Sequence, residues 1–400
     1  MLSYLRSYIS HGGAMLRDRR RNRRWARALT ARLEQGSLLA PPPPIVQLMV
    51  TERCNLRCRM CNSWGDRGVY REDHVPQQMD PGLLDAVLKQ VAPFRPLLSI
   101  HGGEPLFHDD LPGVIDQLAG LPLDLIITTN GTLLGPHADR LARLDRGAYL
   151  VSIDGAEAAH DRIRGAGSFS AMRDGVRALV RAYRRRVGRL PLLMMNFTIS
   201  EFTTHDDIVQ AFDVARALEL LVINYTLRWF VSEAVGRRYE LELERHFNVA
   251  SSSTWRGFLG DVSDIDPRVI ASALTAVQRR CTPLRPPFIK VFPRLPRLDA
   301  SHLARYFGDH GDTFGRQRCL FPFYAPRIYA NGDMVFCQGY RDLVGGNLTR
   351  MPFEAAYQSE TARRLREFCL RRRFSICSRC CGLYLSYCAD TFQDHWRRPS

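Results

Sequence analysis

Three cysteines within eight residues, Cys54, Cys58 and Cys61, form the most chemically informative pattern in the sequence. Their C-x3-C-x2-C spacing follows directly on an apolar segment that is predicted to be a strand. Three thiolates can hold three corners of one cubane iron–sulfur cluster, and because such clusters normally take four thiolates, one iron would keep an open coordination position. A zinc site, which would want a fourth Cys or His nearby, and three incidental thiols are the alternatives. The pattern favours a reactive iron–sulfur site.

The elements that must position this loop alternate between strand-like and helix-like segments, which predicts a parallel α/β sheet, closed or partly closed. The predicted strands cover residues 45–50, 97–101, 123–129, 149–153, 192–199 and 221–229. The predicted helices cover residues 81–91, 111–118, 137–144, 169–184 and 206–218. After about residue 232 the alternation stops, and residues 233–318 are expected to be irregular and helix-leaning.

Polar residues and glycines follow the predicted strands, where parallel sheets carry their reactive groups. The second strand runs into Gly102, Gly103, Glu104 and Pro105. The glycines allow a close approach of the backbone to a ligand, and the carboxylate could accept from an ammonium group. Alone, this tetrapeptide would more often be a plain turn. The later strands add five polar candidates, namely Thr129, Asn130, Ser152, Asp154 and Asn196.

In this order and placement, the cysteine loop and the strand ends resemble the radical S-adenosylmethionine (radical SAM) superfamily over residues 45–230. The resemblance implies a partial (β/α)6 TIM-like barrel of parallel strands. It implies that the three cysteines bind a [4Fe–4S] cluster whose open iron is chelated by S-adenosylmethionine. Residues 102–105 would hold the methionyl amino group, and the later strand ends would face the ribose and the methionyl carboxylate. Met60 stands where the family usually has an aromatic residue near the adenine, and a thioether can fill the same space.

The implied activity is reductive cleavage of S-adenosylmethionine to a 5′-deoxyadenosyl radical, which abstracts hydrogen from a substrate C–H bond. An external one-electron donor, such as flavodoxin or ferredoxin, would supply the electron. The outcome would be oxidation or modification of a peptide, a small molecule or a lipid-linked substrate. Two other classes stay open: a non-catalytic iron–sulfur electron carrier or scaffold, and an RNA-modifying radical SAM enzyme.

A second group of cysteines lies near the end of the sequence, in Cys319, the G-x4-C segment ending at Cys337, and Cys377-x2-Cys380. Together with a hairpin predicted around Asn331-Gly332, the group resembles the auxiliary-cluster modules called SPASM and twitch. The four thiolates would hold one auxiliary [4Fe–4S] cluster. Two clusters are an alternative, although Ser386 breaks the full SPASM pattern, and a structural zinc ribbon is another.

The remaining cysteines have ordinary interpretations. Cys281 is isolated, and its thiol could return a hydrogen atom to a product radical, although an ordinary structural role is favoured. Cys369 is expected to be a small buried apolar residue, and Cys388 is not assigned.

Charge adds hypotheses about partners. The formal net charge is +15, and residues 1–36 and 361–400 each hold nine arginines. Such ends suggest contact with nucleic acid, a membrane surface or an acidic peptide; simple solubility is the alternative. Residues 1–36 are expected to form a basic helical arm, interrupted at Gly12 and Gly13, whose apolar residues, Trp25 among them, suit an anionic membrane surface. No aromatic-interleaved module accompanies the arginines, so nucleic acid is the least favoured partner.

The expected organisation has four parts. An arm and proline-rich linker cover 1–44, the radical SAM core 45–232, a region covering the active site 233–318, and a small cysteine-rich α+β module 319–400. A content of 45% hydrophobic and 24% charged residues excludes wholesale disorder. No apolar run reaches the roughly 18 residues of a membrane-spanning helix, and no secretory signal is recognisable. A cytoplasmic location, with peripheral membrane contact as an option, is expected.

Overall fold

A computed structural model describes residues 2–71, 73–260, 262–282 and 285–385 of the 400-residue chain. The side chains of residues 2–12, 15 and 385 lie outside that description. Ser386 and Cys388 lie outside it entirely, as do all of residues 386–400 of the basic segment 361–400.

Ten strands and fourteen α-helices make up the described chain. The strands are β1 Ile45–Thr51, β2 Leu97–Gly102, β3 Leu125–Thr129, β4 Gly147–Ser152, β5 Leu192–Ile199, β6 Val222–Leu227, β7 Phe288–Phe292, β8 Arg327–Ile328, β9 Asp333–Val335 and β10 Val344–Asn347. The helices are α1 Leu2–Glu34, α2 Pro81–Val91, α3 Leu111–Ala119, α4 Leu134–Leu141, α5 Glu157–Arg164, α6 Ser168–Val187, α7 His205–Ala217, α8 Glu233–Phe247, α9 Pro267–Arg280, α10 Ala300–Gly308, α11 Phe321–Tyr324, α12 Phe353–Tyr357, α13 Glu360–Arg371 and α14 Cys381–Leu385.

All ten strands belong to one sheet, in the order β10-β9-β8-β1-β2-β3-β4-β5-β6-β7. Strands β1 to β7 run parallel in chain order, which confirms the α/β prediction and all six predicted strands. Because consecutive strands are parallel, the loops that leave β1 to β6 all lie at one edge of the sheet. That edge is called the reaction edge below.

Strand β7 corrects the expectation that residues 233–318 hold no sheet. It pairs in parallel with β6 and forms the end of the sheet, with Phe288 opposite Val222. Its five residues are flanked by Pro287 and Pro293. Prolines are tolerated beside a short edge strand because they remove few hydrogen bonds from the sheet. In the sequence, however, the flanking prolines are more typical of a loop, and the strand was therefore not predicted.

The helices of the parallel region cover the sheet with apolar faces, as α2 illustrates. Its N-terminus is capped by Asp80, whose carboxylate accepts from the backbone N–H groups of Gly82 and Leu83. Pro81 stands at the first helical position, where its missing N–H costs nothing. The buried residues recur at helical spacing and pack on the sheet: Leu84, Val87, Leu88 and Val91.

Helix α1 differs from the expected free arm. It is continuous through Gly12 and Gly13, and its Trp25 is only 4% exposed. The Trp25 indole donates to the carbonyl oxygen of Phe323 at 3.2 Å, and Arg17 bonds Asp124 at 2.7 Å. The burial of a large aromatic side chain outweighs the two glycines, and Trp25 is therefore not available to a membrane. None of the described helices is both long and apolar enough to cross one.

The C-terminal region continues the same sheet. Strand β8 pairs in parallel with β1, and β9 returns antiparallel to β8. The predicted hairpin at Asn331-Gly332 is confirmed: Gly332 has a φ of 89°, which favours glycine. The second cysteine group is thereby held directly beside the strand that leads into the first.

Candidate functional site

The first three cysteines lie half-buried on the loop after β1. Backbone N–H groups point at their sulfurs: Leu56 donates to Cys54 Sγ at 3.4 Å, and Ser63 donates to Cys61 Sγ at 3.4 Å. Burial, assisted by the nearby charges of Glu104 and the other two thiolates, raises the pKa of Cys54 to about 12. A thiol in such surroundings stays protonated near neutral pH and becomes a thiolate when a bound metal displaces its proton.

The donor set fits an iron–sulfur cluster. Three sulfurs on one short loop can each take a different iron of a cubane. Among the described residues, no three His, Cys, Asp or Glu side chains converge on a single metal-ion position. The loop is also turned by two glycines that sequence reasoning missed. A Cβ on Gly65 would lie 2.5 Å from the Cys61 carbonyl oxygen, and one on Gly68 would lie 2.3 Å from that of Ser63.

Glycines 102 and 103 pack against the chain that enters the cysteine loop. A Cβ on Gly102 would lie 2.7 Å from the Thr51 carbonyl oxygen, and one on Gly103 would lie 2.4 Å from that of Arg53. The Glu104 N–H also donates to the Arg53 carbonyl at 2.8 Å. Both positions need glycine because backbone meets backbone there.

Glu104 connects three segments at the reaction edge. Its carboxylate is 1% exposed and accepts from Thr129 Oγ1 at 2.7 Å, from the Asn130 N–H at 2.6 Å and from the Leu106 N–H at 3.1 Å. Burial raises its pKa to about 7, although these hydrogen bonds act in the opposite direction. Asn130 in turn donates to Asn55 of the cysteine loop at 2.9 Å. Pro105 opens the 3-10 turn that Glu104 caps.

The ends of β4 and β5 lie side by side, with Ser152 opposite Asn196 in the parallel register. Asn196 accepts from Thr226 Oγ1 at 3.0 Å. Both side chains are half-buried, as is Met60 in the cysteine loop. The sequence candidates are thus brought to one edge.

Asp154 takes a different position from a ligand-facing carboxylate. It is fully buried and accepts from Arg164 Nε at 2.7 Å and from the Thr198 N–H at 3.0 Å. Arg164 also lies 3.8 Å from Cys58 Sγ through Nη1. Asp154 therefore orients a guanidinium that touches a cysteine of the loop, a contact that sequence reasoning did not find.

The second cysteine group contains more thiols than predicted. Burial and the charges of Cys319, Cys380 and Cys337 raise the pKa of Cys377. Two further thiols join them. Cys369 is buried as expected, and its carbonyl oxygen accepts from the Cys319 N–H at 3.0 Å. Cys381, which directly follows Cys380, is buried as well. Sequence reasoning missed the contact between Cys369 and Cys319.

Cys281 is separated from both groups. It ends α9 and precedes β7, on the side of the sheet where strands begin. Its thiol donates to the Val277 carbonyl at 3.4 Å, and burial raises its pKa to about 11.

Glu52, just before the first cysteine, links the two cysteine regions. Its side chain is 3% exposed and accepts from Arg341 Nη2 at 2.6 Å. It also accepts from Tyr70 Oη at 2.9 Å and from the Gln77 N–H at 3.1 Å, and it contacts His74 Nε2 at 3.0 Å. Hydrogen bonds, chiefly from Arg341, keep the pKa of Glu52 low despite burial, which acts in the opposite direction.

Comparison with known proteins agrees with this geometry. The profile of the Radical SAM superfamily matches residues 48–213, and that of the SPASM iron–sulfur cluster-binding domain matches residues 319–381. The chain contains a radical SAM domain and a C-terminal SPASM domain. The recognition made from the cysteine spacings is thereby confirmed. A radical SAM domain implies a [4Fe–4S] cluster and S-adenosylmethionine, and a SPASM domain implies auxiliary iron–sulfur clusters.

Individual relatives match parts of this radical SAM protein. Pre-heme d1 synthase of Dinoroseobacter shibae is 34% identical over 143 residues, which are 35% of this chain and 34% of the relative. A probable GTP 3′,8-cyclase of Methanococcus maripaludis is 26% identical over 217 residues, which are 50% of this chain and 69% of the relative. The chain thus spans about a third of the first relative and about two thirds of the second.

The fold has solved counterparts. Streptococcus suis SuiB bound to S-adenosylmethionine superposes with a TM-score of 0.58 at 14% identity, covering 90% of this chain and 76% of SuiB. At that identity the likeness concerns the fold alone. The radical SAM and SPASM domains indicate that this chain is an enzyme.

Proposed function

We propose that the chain reductively cleaves S-adenosylmethionine and uses the 5′-deoxyadenosyl radical to abstract hydrogen from a C–H bond of an organic substrate. The observation that carries the proposal is the assembly at the reaction edge: Arg164 against Cys58, Asn130 against Asn55, and Glu104 against the entry to the cysteine loop. A cluster carrier has no need for this second set of polar groups beside its cysteines.

When bound, the cluster and S-adenosylmethionine supply the electron transfer and the carbon-centred radical. The chain's own residues hold and shield these groups. Cys54, Cys58 and Cys61 would bind three irons, and Arg164 would offset thiolate charge at Cys58. Residues 102–105 bring backbone groups to the cofactor side, and strand-end polar side chains, Ser152 and Asn196 among them, would orient the rest of the cofactor.

Cys319, Cys337, Cys377 and Cys380 would hold one auxiliary [4Fe–4S] cluster in the SPASM region. Such a cluster would supply an acceptor for an electron from the substrate radical, and the net reaction would then be an oxidation of the substrate. An external donor would supply the electron that starts each turnover. Direct ligation of the substrate is the competing role. Cys369 and Cys381 would complete the surroundings of these four thiolates. SuiB has been solved with the precursor peptide SuiA, and a peptide is accordingly one substrate class that we propose to test for this chain.

Cysteine substitutions test the proposal. Full-length chain is reconstituted anaerobically with iron and sulfide, given dithionite and S-adenosylmethionine, and assayed for 5′-deoxyadenosine. Cys58→Ala is expected to abolish the product, whereas Cys281→Ala, the matched control, should retain it. Cys377→Ala should lose auxiliary iron while still cleaving S-adenosylmethionine. Continued cleavage by Cys58→Ala would refute the proposal.

A further inference from the structure

An ion pair that no predicted role uses lies at the reaction edge. Glu201 follows β5 and Arg228 follows β6. The Arg228 guanidinium bonds a Glu201 carboxylate oxygen, and the two side chains are 8% and 18% exposed. Tyr306 donates to the Arg228 carbonyl at 3.1 Å, and a Cβ on Gly260 would lie 3.5 Å from the Arg228 guanidinium carbon. The pair is therefore enclosed by residues of the region after β6.

The Glu201 carboxylate is held much less firmly than the other buried carboxylates near the cysteine loop. Both oxygens of Asp154 are bonded to the chain, and Glu52 has several donors besides its arginine. By contrast, Glu201 Oε2 is buried and has no hydrogen-bond partner among the described residues. An unsatisfied buried oxygen costs free energy. Glu201 can therefore be displaced at less cost than the other two.

Arg228 keeps its positive charge in this enclosure. Burial, and secondarily the charge of Arg67 from the cysteine loop, lowers the pKa of Arg228 to about 10, still well above neutrality. Among the described residues, Glu201 is the carboxylate that pairs with Arg228. The next residue, Trp229, has a buried indole N–H without a partner in the described part of the chain. A charged guanidinium whose carboxylate partner is only partly bonded favours exchange for another anionic oxygen group.

We propose that Arg228 binds an anionic oxygen group of the substrate, a carboxylate or a phosphate, and that this group displaces Glu201. The inference rests on the proposed function in one respect: the reaction edge must be the side on which the substrate binds. Glu201 then acts as an internal substitute that neutralises Arg228 while the site is empty. Arg228 would be a specificity-determining residue, since a neutral analogue of the substrate could not replace Glu201.

The test uses the reconstituted full chain and two simple anions, inorganic phosphate and acetate, at constant ionic strength set with potassium chloride. Apparent dissociation constants are obtained from the shift in thermal unfolding. Glu201→Gln removes the internal competitor and is expected to tighten binding of at least one anion by about tenfold. Arg228→Gln is expected to weaken it by about tenfold or more.

The controls are Arg184→Gln and Glu219→Gln, which alter a surface ion pair of 3.1 Å between α6 and the segment after α7. They should leave anion binding unchanged. A binding site predicts opposite changes in anion affinity, tighter in Glu201→Gln and weaker in Arg228→Gln, which a purely structural ion pair would not give. Glu201→Gln remains informative if Arg228→Gln does not fold. Equal affinities in wild type and Glu201→Gln would overturn the inference. Formation of 5′-deoxyadenosine without added anion, measured on the same samples, tests the proposed function separately.

Discussion

Replacing Arg341 by Gln probes the connection between the two cysteine regions. Arg341 lies four residues after Cys337, and its partner Glu52 lies two residues before Cys54. Besides bonding Glu52 at 2.6 Å, Arg341 donates to Tyr70 Oη at 2.8 Å and stacks 3.8 Å from the Tyr329 ring centroid. The substitution keeps much of the side-chain volume and removes the charge.

The expected loss follows from these contacts. A hydrogen bond to a charged group contributes about 1.5–3 kcal/mol, and a cation–π contact contributes about 0.5–1 kcal/mol. Removing one partner of a fully buried ion pair costs about 3–5 kcal/mol. Arg341 is 28% exposed, and Glu52 keeps donors in Tyr70 and Gln77. We therefore expect Arg341→Gln to lower the free energy of unfolding by about 3 kcal/mol.

Urea unfolding of the full chain, followed by tryptophan fluorescence and circular dichroism, measures this loss. Tryptophan fluorescence is a suitable local probe because the Trp64 indole donates to the Glu52 carbonyl at 2.7 Å. Arg238→Gln is the control, since Arg238 is 76% exposed in its pair with Glu242, and such pairs contribute about 0.5 kcal/mol or less. If Arg341→Gln is no less stable than Arg238→Gln, the connection does not stabilise the fold and the reasoning fails.

Three further substitutions and conditions have defined outcomes. Arg164→Gln removes the contact with Cys58, so reconstituted protein should hold less iron at the first site, and unchanged iron per chain would contradict this. Burial lowers the pKa values of His101 and His160 to about 3, because the fold favours the neutral imidazoles. Above about pH 6.5 these histidines are neutral in the folded and the unfolded chain alike, and they do not lower the free energy of unfolding. As the pH falls from about 6.5 toward 3, the free energy of unfolding should decrease by about 1.4 kcal/mol per pH unit for each histidine. Unfolding measured from pH 7 to 5 should show this slope, with a shallower one in His101→Gln; parallel curves would refute it. Trp25→Ala should cost about 3–5 kcal/mol and expose residues 35–44 to protease, and wild-type resistance would show that α1 is not docked.

The local part of the site was predictable because its signals are close together in sequence. The C-x3-C-x2-C spacing, the strand before it and the polar strand ends each occupy a few consecutive residues. Parallel strands necessarily bring their carboxyl ends to one edge, so Glu104 and Asn130 could be placed near the cysteine loop without coordinates. Pattern reading also had the means to place Trp25: it shares a helical stripe with Asn22 and Leu29, and all three are buried.

The long-range contacts could not be predicted in this way. Arg164 and Cys58 are 106 residues apart, and Arg341 and Glu52 are 289 apart. No local pattern marks such partners, because an arginine looks the same in the sequence whether its side chain faces solvent or a buried carboxylate. Cys369 was correctly expected to be buried, but its contact with Cys319 depends on how two distant segments pack.

The most direct test of the account is a metal and product count on anaerobically reconstituted, full-length wild type. Iron and sulfide are quantified, reductant and S-adenosylmethionine are added, and 5′-deoxyadenosine is measured. The account predicts about eight irons per chain, as for two cubane clusters, together with formation of 5′-deoxyadenosine. Zinc in place of iron, with S-adenosylmethionine left intact, would contradict it.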